Sequence, residues 1–163
     1  MFVRDFVHLP RPFAGVSARF VSDTSWIEAL ARGAIEAAVE LAGVRAPEPV
    51  PSAAPAHVRL ELGPLRFRGE AIVLGLHWET DCPPPVFTSL DGDLEIAALG
   101  DRATQVTVEA SYELRQPAAP FGAADPAEAR VAEAALRALL RSAASEVEVG
   151  SRISGSRGPG GRP

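Results

Sequence analysis

His77, Glu79, Asp81 and Cys82 form the densest run of chemistry-bearing side chains in the chain. On an extended strand His77, Glu79 and Asp81 share a face, which raises the question of a metal site or of a histidine acting as general base. A metal needs three or four well-spaced ligands, and strand edges carry such residues routinely, so no metal is expected. With no partner in view for its imidazole, His77 reads as a surface or interface histidine. His8 and His57, at strand ends, are weaker candidates still. Cys82 precedes Pro83-Pro84-Pro85, with neither a helix N-terminus nor a basic neighbour to lower its pKa, so it reads as a loop cysteine and not as a nucleophile. Asp91-Gly92-Asp93 resembles a fragment of a calcium loop, lacks the terminal bidentate Glu, and reads as a turn. The glycines near the end follow no strand and open no helix, so they form no phosphate loop. No catalytic residue, metal or cofactor is expected, and the chain reads as a binding protein more than as an enzyme.

The elements that must position any site follow from hydrophobic periodicity. Phe2 to Leu9 alternates and is a short first strand, ended by Pro10 and Pro12. Phe13, Val16 and Phe20 give a short helix an apolar stripe. Ser25 with Glu28 reads as a capping box for a longer helix whose inner face is Trp26, Ile27, Leu30, Ala34, Ile35 and Ala38. Gly43 is its expected stop, and the four prolines between Arg45 and Ala56 mark a loop.

Strands are then expected at Val58–Leu62, Glu70–Glu79, Asp93–Leu99 and Thr104–Leu114. Gly63-Pro64 breaks the first, although Leu65 to Arg68 has the pattern to begin another. Glu70–Glu79 is apolar on both faces, with Ile72, Leu74, Leu76 and Trp78 on one side and Ala71, Val73 and Gly75 on the other. Such a strand is central or covered by a second body, either the N-terminal helices or a partner subunit in a homodimer. Thr104–Leu114 alternates without a break, the signature of an antiparallel strand with one wet face. After it, Asp125 caps a long helix with Pro126 at its first position, and Val131, Ala135, Leu136, Leu139, Leu140, Ala143 and Val147 lie along one side.

Composition bounds the function. The chain has 163 residues, 47% hydrophobic and 23% charged, as expected for one globular domain with a real core. All 16 basic residues are arginine, which reads as the coding bias of a GC-rich bacterial genome. Three of these arginines lie beyond Gly150 with no acid, leaving 13 against 21 acidic residues, or −8, in the body. An acidic body argues against nonspecific nucleic-acid binding. One cysteine permits no intramolecular disulfide, the N-terminus does not read as a signal peptide, and no apolar window is long enough to span a membrane. The expected address is the cytoplasm. Residues 150–163 have the composition of a disordered tail.

The order strand, two helices, antiparallel strands, long terminal helix is a helix-grip arrangement. The stretch PRPFAGVSARFVSDTSW after the first strand, the LDGDLEIAAL segment, the TQVTVEASYEL strand and the helix at Asp125 together resemble the SRPBCC or START-like superfamily, which includes polyketide cyclase/dehydratase and lipid-transfer relatives. The resemblance spans Phe2 to about Val149. The chain departs from it in having five expected strands where the family usually has six or seven, and in the Pro-rich loop at 43–57. The resemblance implies an α+β domain over 1–149 in which a curved sheet and the terminal helix enclose a cavity for a small hydrophobic ligand. Trp78 and Tyr112, rings with polar tips, would orient that ligand, with Leu74, Leu76, Val108, Leu136 and Leu139 around it. A cyclase-like enzyme using the same cavity and a filled-core interaction protein are the alternatives.

Overall fold

The computed structural model of the chain describes residues 1–41, 57–81, 88–113 and 126–154. In order, the elements are β1 (Phe2–Leu9), α1 (Phe13–Ser22), α2 (Ser25–Leu41), β2 (His57–Arg68), β3 (Ala71–Asp81), β4 (Ser89–Ala98), β5 (Thr104–Glu113) and α3 (Pro126–Ser154). The strands form one antiparallel sheet in the order β1-β5-β4-β3-β2. β2 to β5 is a meander of sequential neighbours, and β1 joins it from the far end of the sequence.

The fold is α+β of helix-grip type, as the order of elements predicts. α3 lies against β1 and β5, α2 against β2, and the two helices pack on each other. The apolar stripe of α3 is buried as expected, from Val131 through Leu136 and Leu140 to Val147. Each fully buried Leu or Ile of this kind contributes about 1.5–3 kcal/mol relative to exposure. α1 and α2 meet at a tight elbow. The Trp26 indole N–H donates to the Asp23 carbonyl at 2.8 Å, Phe20 meets the Trp26 ring edge-on at 5.2 Å, and the Arg19 guanidinium lies 4.8 Å from the ring centroid.

Four local expectations need correction or extension. Ser25 is the first helical residue of α2, not its cap: its N–H and hydroxyl both donate to the Asp23 carboxylate, at 2.9 and 3.1 Å, so Asp23 supplies the turn that starts the helix. β2 does not end at Gly63-Pro64 but runs through it with a shift of register between Leu62 and Leu65. Proline is tolerated there because β2 is an edge strand and the bulge needs no ladder donor. Asp91-Gly92-Asp93 is not a turn; it lies in the middle of β4, paired to Gly75–His77 on one side and Glu109–Ser111 on the other. Finally, α3 continues past Gly150 to Ser154. The expected stop at Gly43, the Pro-rich loop, Cys82 and the Asp125 cap all lie outside the described residues.

β3 is an interior strand, between β4 and the edge strand β2. Val73, on the face away from the helices, is only 2% exposed. Its cross-strand neighbours there are Arg66 and Glu95, whose long stems flank it. Arg4–Glu109 at 2.8 Å and Arg66–Asp93 at 2.7 Å continue a charged outer surface. Ala71 and Gly75 on the same face are half-exposed.

Candidate functional site

Strand register sorts the helix-facing side chains into rows. Leu60, Trp78, Leu90 and Tyr112 form one row across β2, β3, β4 and β5. The next holds Leu62, Leu76, Gly92, Ala110 and, on β1, Val3. Leu65, Leu74, Leu94, Val108 and Asp5 form a third. α2 and α3 cover these rows.

A narrow void remains beneath the helices. Leu76, Leu94 and Val108 form its sheet side; Ile27 of α2 and Leu136, Leu139, Leu140 and Ala143 of α3 close it from above. Every lining side chain is aliphatic. Its volume is about 10 Å3, close to the least that holds one water, and an apolar hole of that kind stays dry. Such walls offer no proton acceptor or donor for chemistry, only dispersion contacts and exclusion of water.

Polar groups begin at its margin. Among the described residues Asp5 is the only charged side chain in the helix-facing rows of the sheet, next to Val108. Its carboxylate accepts from the Phe6 N–H at 2.9 Å and from Arg137 Nε at 2.8 Å. Burial alone would raise its pKa. The Arg137 and Phe6 hydrogen bonds, with the charges of Arg137 and Arg141, override that and hold the carboxyl below its ordinary 3.8. Tyr112 is almost wholly buried, and its phenol is pushed above 10, first by burial and then by the nearby Glu133 carboxylate.

The outer face holds a second cluster. His77 Nδ1 lies 2.6 Å from Asp91 Oδ1 and Nε2 lies 3.2 Å from Glu79 Oε1. These two carboxylate hydrogen bonds, that to Asp91 foremost, raise its pKa above 6.5. With both nitrogens turned to carboxylates, the protonated ring is favoured, and that form has no free nitrogen to act as a base. An open depression of about 320 Å3 adjoins it, lined by Glu61, His77, Asp91 and the strand glycines Gly63, Gly75 and Gly92. Among the described residues no group of three or more His, Cys, Asp or Glu is placed to hold a metal ion, and no helix is long and apolar enough to cross a membrane.

No protein-family model and no curated protein matches the chain. Among solved structures, a conserved protein from Geobacillus kaustophilus is similar over 92% of this chain and 97% of its own, with a TM-score of 0.55 at 13% identity. A START superfamily protein from Mycobacterium smegmatis follows at TM-score 0.49 and 15% identity, over 90% and 97%. The Zhui aromatase/cyclase from Streptomyces sp. R1128 has a TM-score of 0.45 at 17% identity, over 95% and 98%. The chain has an α+β helix-grip fold, shared with the Geobacillus kaustophilus protein. Four of the residues singled out from sequence, Leu76, Val108, Leu136 and Leu139, line the void. Leu74, Trp78 and Tyr112 are buried in the core outside its lining. Ile27, Leu94, Leu140 and Ala143 complete the walls. Their core periodicity is readable in the sequence, but nothing local marks them as neighbours of a void.

Proposed function

We propose that this START-like domain binds a small apolar ligand, lipid- or polyketide-like, between the sheet and α3, without acting on it chemically. The observation that carries this is the wholly aliphatic void set between Leu94, Val108, Leu136 and Leu139. A ligand enters only if α2 and α3 shift outward, since about 10 Å3 admits no organic molecule. Burying ligand surface, at roughly 25 cal/mol per Å2, offsets part of that opening. The same tight closure supports a second reading, a filled core with function on the outer surface.

Native mass spectrometry followed by denaturing extraction, joined to titration with the uncharged probe N-phenyl-1-naphthylamine, separates the two. The binding reading expects a stoichiometric small molecule or saturable probe binding, strengthened several-fold in Leu139→Ala, which enlarges the void. A bare polypeptide mass with no probe binding in either protein overturns it in favour of the filled core.

A further inference from the structure

β1 and β2 bound the sheet, and a bounding strand offers its outward backbone groups to any further strand. β2 is spoiled for that by its register shift and by Pro64, which has no N–H to offer. β1 has neither device. Its eight residues pair with β5 from Phe2 to Leu9 without a break in register, and among the described residues no strand pairs with its outer side. Phe2 and Phe6 are both exposed on it. An edge that is long, regular and partly apolar is the kind that takes up a second chain.

The register shows which backbone groups face outward. Met1 and Tyr112 exchange both backbone hydrogen bonds, at 2.7 and 2.8 Å. The alternation of an antiparallel ladder then turns Val3, Asp5, Val7 and Leu9 towards β5, and the N–H and C=O groups of Phe2, Arg4, Phe6 and His8 outward. In the middle of that row the Phe6 N–H is already taken, for it donates to Asp5 Oδ1 at 2.9 Å. Arg137 Nε donates to Asp5 Oδ2 at 2.8 Å, so the carboxylate cannot swing aside without giving up its ion pair with α3. Asp5 is therefore a charge pointing inward from an edge strand, in a row whose other members are Leu65, Leu74, Leu94 and Val108.

The same register says what a second copy would meet. A two-fold axis normal to the sheet keeps the helix-facing side chains of both copies on one side. Full overlap of the two β1 strands then sets Phe2 opposite His8 and Arg4 opposite Phe6. It also sets Asp5 opposite Asp5 of the other copy as a non-hydrogen-bonded pair, about 4.5 Å between Cα atoms, where like charges repel. Each Phe6 N–H would have to leave its carboxylate for the Arg4 carbonyl across the new seam. We propose that Asp5 guards the free edge of β1 against strand addition by a second copy of this chain, and that removing its carboxylate turns this edge into a two-fold interface. This stands apart from the apolar-ligand reading.

Light scattering on size-exclusion fractions, with hydrogen exchange by mass spectrometry on the same fractions, tests it in the full chain. Asp5→Val is expected at twice the wild-type mass at matched concentration, with the Phe2–Leu9 amides exchanging more slowly than in wild type. Adding the exposed change Phe6→Lys, a charge on the new seam, should return the mass to that of wild type. A folded Asp5→Val at wild-type mass overturns the proposal. So does a larger mass with faster exchange in β1, or one that Phe6→Lys leaves unchanged, since either marks association through unfolding or through another surface. If circular dichroism shows Asp5→Val unfolded, Asp5→Asn decides on the same readouts: it keeps an acceptor for the Phe6 N–H and loses the charge, so a mass above wild type with slowed β1 exchange supports the guard and an unchanged mass overturns it.

Discussion

At the residue scale, His77 shows how an ordinary-looking side chain becomes a pH-dependent staple. Its imidazole bridges β3 to β4 through Asp91 and reaches Glu79 along its own strand, pairs that gain charge when the ring is protonated, while Glu61 stands opposite it on β2. Because the folded-state pKa is raised, the stabilisation is complete below the ordinary value of 6.5 and is lost as pH climbs through the raised one. The melting-temperature gap between wild type and His77→Gln is therefore expected to be wider at pH 5.5 than at pH 8.5, as differential scanning fluorimetry would read. An equal gap at both values would show that the pairs add nothing. Glu79 was legible as a neighbour from the strand period. Asp91 was not, because its approach depends on which strand lies beside β3, and local sequence does not encode that register. The side-chain directions of Trp78 and Tyr112 were likewise legible, both facing the helices. Their distance from the void was not, since packing of α2 and α3 decides where the gap is left.

At the element scale, β4 turns on Gly92. A Cβ there would collide with the Glu109 carbonyl oxygen and stand 2.6 Å from the Ala110 Cβ, so only glycine lets β4 come this near to β5. Gly92→Ala is predicted to cost at least ~2 kcal/mol, read as a lower denaturation midpoint at unchanged slope. Gly33→Ala in α2, where an added Cβ meets nothing within 4 Å, is the control and should leave stability unchanged or raise it by up to ~1 kcal/mol. Asp-Gly is a strong local signal for a hairpin, which is why the sequence suggests a turn here. Long-range pairing on both sides overrode it. The same competition explains β2, where Gly63-Pro64 would end an isolated strand but is absorbed as an edge-strand bulge. Elements with a long, uninterrupted period, β5 and α3 above all, were legible because every residue repeats the same message.

At the scale of the whole molecule, connectivity separates β1 from the rest. The β2–β5 meander closes through sequential neighbours, whereas β1 meets β5 across the chain, with Met1 and Tyr112 paired 111 positions apart and His8 with Gln105 97 apart. Contacts so far apart in sequence are costly to close, and they form late when folding begins locally. Hydrogen exchange by mass spectrometry is expected to show β1 amides exchanging before those of β3 in native buffer. Equal protection of the two strands would contradict this. Such an order bears on time more than on affinity. If β1 and α3 part as a unit before the meander loosens, a molecule lodged beneath α3 departs only when they do. Its residence time would then follow the rate of that local opening, fixed by how the chain is threaded, and ligands of quite different affinity would share one slow release step.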